Sequence, residues 1–352
     1  MASNESVVQI DGAYGEGGGG LVRTALVMSS LTQLPVTIRR VRGGTKFPGI
    51  DSEDLVIARA LAQITNASTE GLEFGSNELT FRPTRKPSAF NGRLGNERGT
   101  HGRGANANIV LSAIAPVLAR TGAYSVISAE GETYGLKSLG YDSFQAGTIA
   151  AWRKCGLYVE SSLERAGFGR EGDGEVTMEV EPSHLDGLIW NDRGSLVSVR
   201  GLIAVNGLPP GIAERGIGFL KKLAQNVGIP MDAEVIECGA RTAGVHVTVV
   251  AQYERGIGVG AAMGSKGLRV EALCQGAFEE LLEWQQSAAT VDPYLIDQLL
   301  IPMVLAQGDV TLRVSRLTSR FLTSVWAVRQ FTPLPLVIKG TEGAPGVISI
   351  KR

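Results

Sequence analysis

The residues most able to do chemistry stand near the start of the chain. Asp11-Gly-Ala-Tyr-Gly-Glu16 runs into four further glycines, Gly17 to Gly20, and then Leu21-Val22-Arg23. A glycine loop that opens onto a helix leaves backbone N–H groups free at the positive end of the helix dipole, which suits an anion. Arg23, one turn inside, would offer a forked guanidinium to phosphate or carboxylate. The same glycines also suit a structural turn that lets two elements pack closely. The residues alone leave both readings open.

A second concentration lies between Arg82 and Arg103, where Arg82, Arg85, Lys86, Arg93, Arg98 and Arg103 face one acid in sequence, Glu97. Such an excess can follow a sugar-phosphate backbone. With Phe90 as its one aromatic it offers little base stacking, and a solvated glycine-rich loop is the alternative. The three histidines are His101, inside the Gly99–Gly104 loop, His184 and His246, the last two read as ordinary surface or strand histidines. Cys155, Cys238 and Cys274 are far apart and not in metal-ligand spacing, so they read as buried thiols in a reducing compartment, and no metal site is expected from them.

The elements that must hold these residues are short and numerous. The 46 glycines cluster at 15–20, 43–44, 167–174 and 256–264, between apolar segments, as tight turns do. Period-two and helical spacing predict strands at Val7–Ile10, Val36–Val41 and Leu79–Phe81, with helices at Leu21–Leu31 and Leu55–Ile64. Asp51 reads as the N-cap of the second helix, with Glu53 and Asp54 in its first turn. A related order recurs at Ile109–Val180, and again towards the end, where Pro293–Ala306 and Arg320–Phe331 read as helices around a Val310–Val314 strand. The expected fold is α/β (α+β) with repeated modules.

Bulk properties set limits. With 352 residues, 43% hydrophobic and 20% charged, the chain can bury a large core. A formal charge of -1 provides no bulk positive field, so a polyanion must be met by a local patch, and a histone-like role is excluded. Residues 1–8 are polar without a secretory pattern, and the longest apolar run, Ile109–Ala119, is too short to cross a bilayer. A cytoplasmic protein without membrane contact is expected.

Ile10-Asp-Gly-Ala-Tyr-Gly-Glu-Gly-Gly-Gly with Leu21-Val-Arg-Thr-Ala-Leu26 resembles the opening signature of the RNA 3'-terminal phosphate cyclases. Further segments match in the same order: Val41–Ile50, Glu78–Pro83, Ala213–Arg215, Ala289–Asp292 with Leu295–Leu299, and Phe321–Arg329. The resemblance spans essentially the whole chain. It implies three repeated βαβαββ units around a pseudo-threefold axis, as in enolpyruvyl transferases, formed by residues 1–183 and 268–352. A small α/β domain is expected as an insert at residues 184–267.

The family converts an RNA 3'-phosphate to a 2',3'-cyclic phosphate, using ATP with Mg and a histidine that carries the adenylate. A phosphate needs a good leaving group before it becomes an electrophile, and a neutral imidazole can deliver one. By resemblance the histidine position is held by Arg320, whose guanidinium has no lone pair to attack with. Glu16, Arg23, Arg42 and Asp297 are retained with Gly17, Gly18 and Gly19. A family arginine is replaced by Thr45, a glutamine-histidine pair by Glu53 and Asp54, and a glutamine by Ser112. The resemblance thus implies a catalytic set of Arg320, Glu16 and Asp297. The implied nucleotide- or substrate-binding set is Gly17, Gly18, Gly19, Arg23, Arg42, Glu53, Asp54 and Ser112. Glu53 and Asp54 either oppose a polyanion or merely complement the helix dipole. Three functions are open: an RNA 3'-end protein of the cyclase type using ATP, a catalytically silent RNA-binding factor, or an enzyme for a phosphorylated small molecule on the same scaffold. A homodimer is among the assemblies considered.

Overall fold

The computed structural model describes residues 7–95, 97–98, 104–209, 211–264 and 267–352. The chain begins with β1 (Val8–Asp11), α1 (Gly19–Thr32), β2 (Val36–Arg39), α2 (Ser52–Thr65), β3 (Ser68–Glu70) and β4 (Glu78–Arg82). They form a sheet of order β1-β2-β4-β3, in which β1 and β2 are parallel and the other pairs antiparallel. The apolar faces of α1 and α2 close over it, burying Leu21, Val22, Leu26, Leu55, Ile57 and Leu61.

The next stretch contains β5 (Gly92–Leu94), α3 (Ala107–Leu118) and β6 (Ser125–Gly131), then a helix that runs from α4 (Tyr141–Ser143) through a π-helical stretch (Phe144–Ile149) into α5 (Ala150–Lys154). After it come β7 (Val159–Arg165) and β8 (Gly174–Val180). The sheet order is β5-β6-β8-β7, with β5 parallel to β6 and the remaining pairs antiparallel.

A different unit follows: β9 (Leu196–Asn206), α6 (Ile212–Asn226), β10 (Asp232–Glu237), β11 (Gly244–Tyr253), β12 (Gly256–Met263) and α7 (Val270–Gln286). Its sheet has the order β10-β9-β11-β12. The closing group is α8 (Leu295–Leu305), β13 (Val310–Val314), α9 (Ser319–Arg329), β14 (Leu336–Lys339) and β15 (Gly346–Ile350). Here the order is β13-β15-β14, and Val291 bridges Val314 in parallel at the outer side of β13.

The glycines at 256–264 form a strand rather than the turn expected from their number. Gly256, Gly258 and Gly260 alternate with Ile257, Val259 and Ala261, and α7 lies directly on the glycine face. A Cβ on Gly258 would come within 2.1 Å of the Trp284 ring, and one on Gly260 within 2.0 Å of the Ala277 carbonyl oxygen. Close approach of a helix backbone is what removes the side chains here.

Two main cores are filled, and a third, small cluster joins Tyr134, Ala166 and Phe168 to Ala204 and Cys238. Val199, Ile203, Leu220, Val247, Val249, Leu273, Phe278 and Trp284 belong to one. The larger takes the helices and sheets of the first, second and last groups, together with Leu185, Leu188 and Trp190, and also Val250 from β11 and Ile257 from β12. Arg193 fastens the third group's helix: its guanidinium donates to the carbonyls of Trp284, Gln285, Ser287 and Ala289 at the end of α7 and lies over the Trp284 ring at 4.0 Å. No helix among the described residues is long and apolar enough to cross a membrane. All three cysteines are buried and free, and burial lifts the thiols of Cys155 and Cys274 to about 12.

Candidate functional site

The glycine loop is built for closeness. Gly15 and Gly17 have φ of +60° and +56°, which side chains resist. A Cβ on Gly15 would meet Thr323 Oγ1 at 2.1 Å, and one on Gly17 would meet the Gly44 nitrogen at 2.7 Å. Gly18 is the N-cap of α1. Gly19 lies under the Arg42 guanidinium, whose Nη1 is 3.0 Å from where its Cβ would be, and Gly20 lies under the aliphatic part of Arg320. The structural account of these glycines therefore holds, and it explains why arginine side chains cover the start of α1.

Asp51 caps α2, and the capping box is closed by Asp54, which accepts from the Asp51 N–H at 3.1 Å. Asp54 is 1% exposed and also accepts from Arg42 Nη1 at 3.1 Å; Arg42 Nη2 lies 3.4 Å from Asp51. Arg42 has a φ of +53°, a strained value for a non-glycine residue. That backbone turns its side chain onto the two aspartates, with Nε buried and without a hydrogen-bond partner. Glu53 points the other way, accepting from Arg23 Nη1 at 3.0 Å and from the Asn106 N–H. Burial raises the Glu53 carboxyl above the usual range, against the pull of Arg23.

Arg320 is the second residue of α9, whose N-cap Thr318 accepts from the Phe321 N–H at 3.1 Å. A cation is unfavourable at the positive end of a helix. Two carboxylates compensate: Arg320 Nε is 3.5 Å from Glu16 and Nη1 is 3.9 Å from Asp297. Asp297, on the first turn of α8, has one oxygen buried without a hydrogen-bond partner. Burial pushes its carboxyl up to about 7, opposed by the charges of Arg320 and Arg23.

These side chains meet in one cleft of about 480 Å³ including its open mouth, lined by Gly20, Arg23, Ser112, Asp297, Gln298 and Arg320 among others. Ser112 reaches it from α3, with its hydroxyl turned back to the Ile109 carbonyl at 2.9 Å. Arg23, Arg320, Asp297 and Ser112 thus share the cleft wall, and Glu16 and Glu53 reach it through their arginine partners. Arg42 and Asp54 form an adjoining cluster over Gly19. Around the three arginines stand five carboxyl groups, Glu16, Asp51, Glu53, Asp54 and Asp297. Each guanidinium is already engaged, and the surroundings are formally negative.

The basic stretch is also engaged. Arg82 faces Glu70, Arg93 pairs with Glu130 and Glu175, and Arg98 with Asp173, while Glu97 itself pairs with Arg59. Acids from neighbouring strands and loops cancel much of this excess in space; Arg85 donates instead to the Gln63 carbonyl, and exposed Lys86 makes no ion pair among the described residues. His101 and Arg103 lie outside the described residues. His184 is exposed. His246 is 1% exposed in β11, its ring 5.1 Å from that of Tyr134, and burial drops its pKa to about 4. Neither lines the cleft.

Thr323 was not foreseen from sequence. Its hydroxyl accepts from the Glu16 N–H at 3.0 Å and donates to the Ser319 carbonyl at 2.7 Å. Its spacing of three from Arg320 on a helix is the signal that places both on the face against the loop.

The family model described as RNA 3'-terminal phosphate cyclase matches residues 14–338. A protein of that name from Gloeothece citriformis is 32% identical over 327 residues, covering 92% of this chain and 93% of the relative. One from Methylococcus capsulatus is 30% identical, covering 98% and 96%, and one from Thermococcus gammatolerans is 31% identical, covering 98% of each. A match that begins in the glycine loop and runs past α9 takes in every element that lines the cleft, and the chain belongs to the RNA 3'-terminal phosphate cyclase family.

Proposed function

We propose that this chain recognises RNA 3' ends without carrying an adenylate on a histidine. The observation that carries the reading is Arg320, held between Glu16 and Asp297 at the head of α9, where the resemblance expects the nucleophile. A permanently charged guanidinium in two ion pairs neither attacks phosphorus nor leaves room for an imidazole to do so.

The residues present do not fit ATP with Mg. A triphosphate would have to displace Glu16, Glu53 and Asp54 from their arginines, and the displaced carboxylates would remain beside it. A single RNA phosphate monoester asks for one such exchange, at Arg23 or Arg320. A second reading, an enzyme for a small phosphorylated molecule, draws on the same negative surroundings and on Asp297, whose carboxyl sits near neutrality and can pass a proton.

The pairing sense and order shared by β1–β4, β5–β8 and Val291 with β13–β15 support the pseudo-threefold arrangement implied by kinship with enolpyruvyl transferases. We place the inserted unit at 196–286 rather than 184–267. Its α7 packs with β11 and β12 in the smaller core, whereas Leu185, Leu188 and Trp190 belong to the larger one. Three free buried thiols suit a reducing compartment such as cytoplasm.

Fluorescence anisotropy of a 3'-phosphorylated single-stranded RNA, with and without ATP, tests the proposal. Binding at low salt that ATP leaves unchanged, and that weakens only gently with added salt, is expected. No binding at low salt, or binding that requires ATP, would overturn it.

A further inference from the structure

The glycine loop and α9 are joined residue by residue. Glu16 meets Arg320, Gly15 packs on Thr323, and Tyr14 stacks on Trp326 with ring centroids 3.9 Å apart and an interplanar angle of 18°. Steps of three along α9 keep Arg320, Thr323 and Trp326 on one side of the helix. The loop therefore runs along that side in the opposite direction.

Tyr14 is fixed in place. Its N–H donates to the Asp11 carbonyl at 3.0 Å, and its carbonyl accepts from the Gly17 N–H at 2.9 Å. Yet Tyr14 is 44% exposed, an unusual position for a ring this firmly held. With one face of the ring covered by Trp326, its exposed surface lies only two residues along the loop from Glu16 and its partner Arg320.

We propose that Tyr14, backed by Trp326, is a stacking platform for a nucleobase of the ligand whose phosphate end reaches the cleft. This rests on the reading that the chain recognises RNA ends. A ring already ordered by its neighbour loses little entropy when a base stacks on it, and any base has a suitable face. The platform recognises a planar base, and that base can come from an RNA terminus or from a free nucleotide. Among the described residues the basic stretch offers no equivalent, since Phe90, its one aromatic, packs against the larger core.

The test compares the wild type, Tyr14→Phe and Tyr14→Ala in anisotropy assays. The probes are a 3'-phosphorylated RNA, the same RNA with an abasic 3'-terminal residue, and a labelled adenosine monophosphate. In the wild type, loss of the terminal base is expected to weaken binding ~10-fold. Tyr14→Phe should keep that difference and Tyr14→Ala should abolish it, both variants binding the abasic RNA as the wild type does. If Tyr14 serves only to clamp the loop, Tyr14→Ala will lower the melting temperature while the base-dependent difference persists, and the platform is refuted. Wild-type binding to RNA that ignores the terminal base also refutes it, but leaves RNA-end recognition standing. Absence of RNA binding removes both, and tight binding of the monophosphate alone reassigns the platform's base to a free nucleotide and overturns the RNA assignment.

Discussion

At the scale of single residues, the cleft is organised by compensation. Arg320 stands where the helix dipole disfavours it, Arg42 adopts a strained φ, and Asp297 has one buried oxygen without a hydrogen-bond partner. None of these would persist without its partners. Asp297 makes the cost visible as a function of pH. Its folded pKa of about 7 lies above the ordinary value of 3.8, so the folded state holds the proton more tightly. The associated stability is fully present below pH 3.8 and is lost as the pH rises through 7. Asp297→Asn removes the charge that burial penalises. Thermal denaturation should therefore show the variant ~2–4 °C above wild type at pH 8 and indistinguishable from it at pH 4. A variant that melts lower at pH 8 would mean that the ion pair with Arg320 outweighs burial.

At the scale of elements, α9 and the glycine loop position the cleft together, and α7 on β12 holds the neighbouring unit. Gly260→Ala places a methyl group 2.0 Å from the Ala277 carbonyl, which neither backbone can yield easily. A loss of about 1–3 kcal/mol in denaturant unfolding is expected; an unchanged midpoint would show that α7 slides to make room. The sequence could be read for most elements because their apolar spacing is local: α1, α2, α8 and α9 lie where periodicity puts them. Asp51 as an N-cap was legible for the same reason. β12 was not, since a strand whose inner face is Gly256, Gly258 and Gly260 before Ala262 carries almost no apolar alternation on that side. The pairing of Arg93 with Glu175 and of Arg98 with Asp173 was equally hidden, because partners about eighty residues away enter no local charge count. Asp297 and Arg320 were singled out through likeness to a family; their mutual contact and the Thr323 link to Glu16 depend on how α8 and α9 meet the loop.

At the scale of the whole molecule, the unit bearing β9–β12 is not separate from the rest. Val250 and Ile257 reach into the larger core, and Ile257 also bridges Val291 beside β13. Scanning calorimetry should accordingly give one transition with matching calorimetric and van't Hoff enthalpies, and two resolved peaks would mean that the units melt independently. The same continuity holds one loop and one helix against each other at the cleft. The resemblance implies a histidine that carries an adenylate, at a place where this chain has Arg320, tied to two acids. Intact-protein mass spectrometry after incubation with ATP, Mg and 3'-phosphorylated RNA addresses this directly. The wild type should emerge without an adenylate adduct and the RNA without a cyclic end. An adduct mapped to His101, His184 or His246, accompanied by a 2',3'-cyclic phosphate, would contradict the account.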